Sequence, residues 1–78
     1  MFWNVKKIQE TERSIVIGFS KGNSFDGKII YDKTTEQFEI VSLADTCDQF
    51  ESERLFQFLY TLILQNTLSF KPYSIALG

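Results

Sequence analysis

The 78-residue chain contains no histidine, one cysteine and one proline. Without an imidazole, the commonest side chain for acid–base catalysis near neutral pH is missing. A single cysteine cannot form an internal disulfide, and zinc sites built from several cysteine and histidine ligands are excluded. One unpaired cysteine is also what a reducing compartment permits, so we expect a cytoplasmic protein.

A surplus of basic residues is also missing. The formal net charge is −2 and the sequence pI is about 4.9. Domains that bind nucleic acid usually carry an excess of lysine and arginine, so the composition argues against that class. The charge is unevenly placed, because residues 1–34 hold six bases and four acids, whereas residues 35–78 hold six acids and two bases.

No apolar run is long enough to cross a membrane. The most apolar window, Leu55–Leu64, has ten residues, whereas a spanning helix needs about 20. The first residues lack the basic start and long apolar stretch of a secretory signal. At 44% hydrophobic and 15% aromatic residues, the chain is too apolar for a disordered protein. We therefore expect one small soluble domain that spans residues 1–78.

Four short runs rich in isoleucine, valine, phenylalanine and tyrosine fill the first half of the chain. Polar or glycine-containing turns separate them, which is typical of β-hairpins. The predicted strands are 2–9, 14–20, 25–32 and 37–43.

The turn lengths predict how these strands pair. A loop at 22–24 places Ile17 opposite Ile29, and a loop at 33–36 places Ile29 opposite Ile40. A loop at 10–12 places Val5 opposite Ile17 and Trp3 opposite Phe19. All three registers gather large apolar residues on one face, which predicts a four-stranded antiparallel meander. That face comprises Trp3, Val5, Ile15, Ile17, Phe19, Ile29, Tyr31, Phe38 and Ile40.

A helix is predicted over residues 49–66. Asp48 and Glu51 have the spacing of a capping box at its start. Apolar residues at helical spacing predict the side that faces the sheet; they are Leu55, Phe58, Leu59, Leu62 and Ile63. Pro72 prevents the helix from continuing, so the apolar tail 67–78 is expected to be extended. The predicted class is α+β, a ββββα meander packed on one helix.

Two segments resemble chemical motifs but lack a required part. Residues 22–28 have the GxxxxGK spacing of a phosphate-binding loop. Ile29 stands where a serine or threonine is needed, and a strand follows in place of a helix, so we interpret the segment as a hairpin turn. Cys47 lies between Asp45 and Asp48, whose negative charges disfavour a thiolate, and no histidine can serve as its base.

We predict no catalytic, cofactor-binding or metal-binding residues. The acids at the helix start lack the alternating oxygens and glycine turn of a calcium loop, and they suit a helix N-terminus. An acidic patch that meets a basic partner is the alternative interpretation. This candidate patch comprises Glu36, Glu39, Asp45, Asp48, Glu51 and Glu53.

More apolar surface is present than one sheet–helix core requires. The surplus residues form a candidate interaction surface: Phe56, Tyr60, Leu64, Phe70, Tyr73, Val16, Ile30 and Val41. A domain this small also gains stability from a partner subunit. We therefore predict a non-enzymatic protein–protein interaction module, such as a small bacterial or phage regulator, adaptor or inhibitor, that forms a homodimer.

The first and fourth strands are the expected edges of the sheet, with lysines on one and glutamates on the other. These opposite charges suggest that two copies pair edge to edge. Binding of single-stranded nucleic acid is one alternative function, since Trp3, Phe19 and Tyr31 accompany several lysines. The predicted registers place these rings under the helix, so we expect no nucleic-acid partner. Binding of a small ligand between helix and sheet is the second alternative.

Overall fold

A computed structural model describes residues 2–22, 24–43 and 49–76. The elements in chain order are β1 (Phe2–Glu10), β2 (Ser14–Ser20), β3 (Gly27–Asp32), β4 (Gln37–Ser42), α1 (Gln49–Leu64) and β5 (Tyr73–Ala76). The strands form one antiparallel sheet in the order β4-β3-β2-β1-β5. The predicted α+β class with a ββββα order is confirmed, and the tail adds a short fifth strand.

The registers of the second and third hairpins are as predicted. Ile17 lies opposite Ile29, and Ile29 lies opposite Ile40. When one face of a hairpin must be apolar, few alignments of its two strands are possible. The alternation of apolar residues was therefore sufficient to predict these two registers. The predicted loop at 22–24 is too short, because β2 ends at Ser20 and β3 begins at Gly27, two residues later than predicted.

The predicted register of the first hairpin is wrong by two residues. Val5 lies opposite Phe19 in place of Ile17. Thr11 closes the turn: its backbone N–H donates to the Ser14 carbonyl over 2.8 Å, and its Oγ1 accepts the N–H of Ser14 over 3.1 Å. A bulge at Ile8 then inserts one extra residue in β1. A shift of two preserves the side-chain face, so the predicted face still forms the core.

The core lies between this face and α1. All nine predicted residues either are buried or, for Phe38 and Ile40, pack against the buried cluster. The helix contributes Leu55, Leu59 and Leu62. The prediction that Phe58 faces the sheet is wrong, because its side chain is 40% exposed. Helix α1 is rotated so that Phe56 and Tyr60 pack toward β3 and β4, which turns Phe58 to the opposite flank.

The tail docks on its own chain and covers the outer edge of β1. After α1, Asn66 has a φ of 56° and the Thr67 N–H donates to the Leu62 carbonyl over 2.9 Å, which is a Schellman ending that redirects the chain. The Lys7 N–H then donates to the Ser69 carbonyl over 2.7 Å, and β5 pairs with β1. Strand β1 is therefore interior, so the expectation that the first strand forms an edge is wrong.

Candidate functional site

The phosphate-loop-like segment forms a turn that runs directly into a strand. Gly27 and Lys28 open β3, so no helix N-terminus follows. The Gly22 carbonyl accepts hydrogen bonds from Asn4 Nδ2 over 2.8 Å and Ser20 Oγ over 2.7 Å, which fix the turn to β1 and β2. Residue 23, in the middle of the segment, lies outside the described residues.

The sheet face opposite α1 holds an aromatic residue that the sequence pattern did not single out. Phe25 has a φ of 50°, and its N–H donates to Ser20 Oγ over 3.2 Å. Lys6 Nζ lies 4.5 Å from the centre of the Phe25 ring. A Cβ placed on Gly18 would lie 3.4 Å from the Phe25 Cβ, so the turn folds over β2 at this glycine. No sequence rule predicts a left-handed phenylalanine.

The aromatic rings considered for nucleic-acid stacking lie in the core. Trp3, Phe19 and Tyr31 are buried, and the Trp3 and Phe19 ring centres are 6.2 Å apart. Burial beneath α1 leaves no open ring face of this group on which a base can stack.

A cluster of Lys7, Glu10 and Lys33 ties together the ends of β1 and β3. Glu10 Oε1 lies 2.7 Å from Lys7 Nζ, and Oε2 lies 2.7 Å from Lys33 Nζ. Lys33 Nζ also donates to the Thr11 carbonyl over 2.8 Å. Hydrogen bonds from Lys33 and then Lys7 lower the pKa of Glu10 from 4.5 to about 2. The negative charge of the Glu10 carboxylate is balanced by the two lysines. The cluster therefore has a structural role, which is to hold the first turn against the end of β3, and we call it the clamp.

This clamp predicts a specific pH dependence. Because the pKa of Glu10 is lower in the folded protein, its stabilising effect is complete above pH 4.5 and is lost as the pH falls toward about 2. We expect Glu10→Gln to lower the free energy of unfolding at neutral pH by no more than about 1 kcal/mol, since the pair is partly exposed. Urea unfolding at several pH values, with Glu12→Gln as the control, measures this difference. A difference between wild type and Glu10→Gln that persists at pH 2 would contradict the assignment.

Exposed aromatic side chains line two depressions along α1, one of which also borders β5. Phe50 is 70% exposed, and Phe58 and Tyr73 are each 40% exposed. Phe50 and Phe58 line one shallow depression together with Glu53, Arg54 and Gln57. Phe58 also lines a groove of about 410 Å³ with Tyr73 and other residues. We call Phe50, Phe58 and Tyr73 the flank surface.

The groove beside the flank surface runs between α1 and the short fifth strand. Its lining consists of Phe58, Thr61, Leu62, Gln65, Tyr73, Ser74 and Ile75. Ser74 is held in place because its Oγ donates to Asn4 Oδ1 over 2.8 Å, and Asn4 in turn holds the Gly22 turn. The outer edge of β5 therefore has a defined position next to a groove lined by both apolar and polar residues.

The structure divides the candidate interaction residues among four regions. Phe56 and Tyr60 are half-buried: the Phe56 ring stacks on Phe38 at 5.1 Å, and the Tyr60 ring lies 6.3 Å from Tyr31. Leu64 and Phe70 are exposed near the end of α1, and Tyr73 belongs to the flank surface. The residues on the opposite sheet face are Val16, Ile30 and Val41, of which Val41 is exposed.

Sequence reasoning missed Phe50 and Phe58 as surface residues. Phe58 fits the helical spacing of the core, and only the rotation of α1 about its axis exposes it. Phe50 lies one turn before Arg54, at the start of the helix. Phe50 does not share the helical spacing of the core-facing residues, and this was the one feature of the sequence that indicated an exposed position.

Among the candidate acidic residues, Glu36, Glu39 and Glu53 are exposed. Glu36, with a φ of 57°, ends the turn before β4, and Glu39 lies within β4. The remaining members lie outside the described side chains; they are Asp45, Asp48 and Glu51, and the same holds for Cys47. The structure therefore places two of the acids on the β4 edge and one on the helix.

Within residues 2–22, 24–43 and 49–76, no three acidic or cysteine side chains are grouped so that they could hold a metal ion. In the same part of the chain, the helix is too short and too polar to cross a membrane. Comparisons with protein-family models, with curated proteins and with solved structures give no match to this chain.

Proposed function

We propose that this chain is a non-enzymatic protein–protein interaction module that self-associates through the flank surface. The observation that carries the proposal is the exposure of Phe50, Phe58 and Tyr73 along one side of α1. Grouped, exposed aromatic rings are typical of binding sites, because their burial removes a large apolar area from water. A regulator, adaptor or inhibitor that works by contact fits such a surface.

The small size of the domain supports a partner subunit. One helix covers one face of the sheet, and a core of this size supplies only about 3–5 kcal/mol of stability. Association with a second copy stabilises the folded state by mass action. A dimer with two-fold symmetry is the commonest way in which identical chains associate.

The nucleic-acid alternative has less support, since the rings that it needs are buried and the net charge is −2. The small-ligand alternative lacks a specific observation in its favour. Both remain alternatives to the proposed interaction function.

Analytical ultracentrifugation from low to high micromolar concentration tests self-association. We expect a monomer–dimer equilibrium, and Phe58→Ser should raise its dissociation constant by about tenfold or more, which corresponds to about 1.4 kcal/mol. Leu64→Ser is the matched control, because Leu64 lies on the same helix and is 66% exposed but lines neither the depression nor the groove. A wild-type chain that stays monomeric throughout would contradict the proposal. Equal weakening by both variants would place the contact elsewhere.

A further inference from the structure

The two edges of the described sheet differ in charge. Strand β5 has the sequence YSIA and carries no charged side chain. Strand β4 carries Glu39, and Glu36 directly precedes it. In a two-fold dimer each edge meets its own copy, so glutamates on β4 would approach glutamates. Charge therefore disfavours self-pairing at β4 and permits it at β5.

The backbone of the two edges also favours self-pairing at β5 over self-pairing at β4. A bulge in β4 at Val41 shifts its register against β3, and bulges interrupt the regular row of N–H and C=O groups that a new strand would need. Strand β5 pairs with β1 without a shift over all four of its residues. Its outer edge is thus a regular template, and within the described residues no strand pairs with it.

We infer that a second copy of this chain pairs with β5 in antiparallel orientation about a two-fold axis through Ser74, one of the two central residues of the strand. This inference rests on the proposed function and names the geometry of the contact. In an antiparallel pair, directly opposite residues lie on the same face of the sheet. An axis at Ser74 places Tyr73 of each copy opposite Ile75 of the other, and both residues lie on the helix side.

Two members of the flank surface, Phe58 and Tyr73, then lie within the contact. The axis is perpendicular to the sheet, so both α1 helices lie on the same side of the joined sheet. Phe58 of each copy faces the axis across the groove that it shares with Tyr73. Aromatic and β-branched residues that face each other across strands pack favourably. The dimer therefore closes the groove with apolar side chains from both copies.

A stable dimer must bury more surface than strand pairing alone provides, so the contact needs both the paired β5 strands and the aromatic side chains beside them. A specific interface buries about 800 Å² per copy, which is about a sixth of the 4977 Å² accessible surface of the chain. A strand of four residues is too short to supply this area alone. The exposed rings of Phe58 and Tyr73 beside β5 add apolar area to the contact, and strand pairing sets the register.

Disulfide trapping tests the position of the axis. In a Cys47→Ser background, Ser74→Cys places two thiols beside the axis. Opposite Cβ atoms in an antiparallel pair are about 4.5–5.5 Å apart, and a small closing movement of the two strands brings them to the separation of about 3.5–4.5 Å found in a disulfide. We expect mild oxidation to produce a covalent dimer of this variant. Glu39→Cys in the same background is the control on the exposed β4 edge, and it should remain monomeric on a denaturing gel. Trapping through Glu39→Cys with none through Ser74→Cys would overturn the inference.

A charge substitution gives a second measurement, because Ser74→Cys also removes the hydrogen bond to Asn4. Tyr73→Lys places two ammonium groups near the axis and should raise the dimer dissociation constant at least tenfold. Val41→Lys is the matched control on β4, where the replaced side chain is 55% exposed, and it should leave the constant unchanged. Self-association that is weakened by Phe58→Ser but insensitive to Tyr73→Lys would refute the β5 contact and leave a contact through Phe50 and Phe58 standing. Absence of any self-association would contradict both.

Discussion

Leu59→Ala is expected to unfold a large fraction of the protein at room temperature. Leu59 is fully buried where α1 crosses the sheet, between Leu55 and Leu62 in the core. Removing a buried leucine side chain costs about 2–5 kcal/mol, through lost transfer energy and the cavity that remains. That loss is comparable to the whole stability of about 3–5 kcal/mol expected for a core of this size.

Urea unfolding followed by far-ultraviolet circular dichroism measures the effect of Leu59→Ala. Leu64→Ala is the matched control, because it makes the same change on the same helix at a side chain that is 66% exposed. We expect its effect to stay within about 0.5 kcal/mol, as for most surface substitutions. Similar losses in the two variants would mean that α1 does not pack on the sheet through Leu59.

A chain that ends at Pro72 is expected to lose most of its stability and to aggregate. The truncation removes β5, including Ile75, whose side chain is buried opposite Trp3. Loss of the buried isoleucine alone costs about 2–5 kcal/mol. It also uncovers the outer edge of β1, and an unpaired edge strand is a template for aggregation.

The fluorescence of Trp3 reports this change directly, because Trp3 is the one tryptophan in the chain and is buried beside β5. We expect a red-shifted emission in the truncated chain at low micromolar concentration. Ile75→Ala should reproduce part of the loss of stability, whereas Tyr73→Ala, at a partly exposed position, should cost less. An unchanged emission together with an unchanged urea midpoint would show that β5 does not cover β1.

The second and third hairpins were predictable because their information is local. Short connections bring Ile17 opposite Ile29 and Ile29 opposite Ile40, and the alternation of apolar residues rejects the neighbouring registers. The first hairpin has the same alternation, but alternation cannot distinguish a register from one shifted by two. In the first hairpin, the register of β1 against β2 is set by the Thr11 hydrogen bonds and by the bulge at Ile8.

The candidate site was less predictable than the fold. The tail was expected to be extended, but its pairing with β1 was not predicted. Phe58 satisfies the spacing of the core stripe, and the same apolar helix can sit on the sheet in several rotations. The choice follows from how Phe56 and Tyr60 pack against Phe38 and Tyr31. These contacts join residues far apart in the chain.

By itself, the sequence determined the order of the first five elements, the face of the sheet that becomes the core and the chemistries that a chain without histidine lacks. These properties depend on composition and on the period of apolar residues, which are local. Only the tertiary structure decided that β5 covers β1, that α1 turns Phe58 outward and that, among the described strands, β4 and β5 form the two edges of the sheet. Each of these outcomes depends on which of several apolar surfaces pack against each other. That choice involves residues far apart in the chain, so it is made only when the whole chain folds.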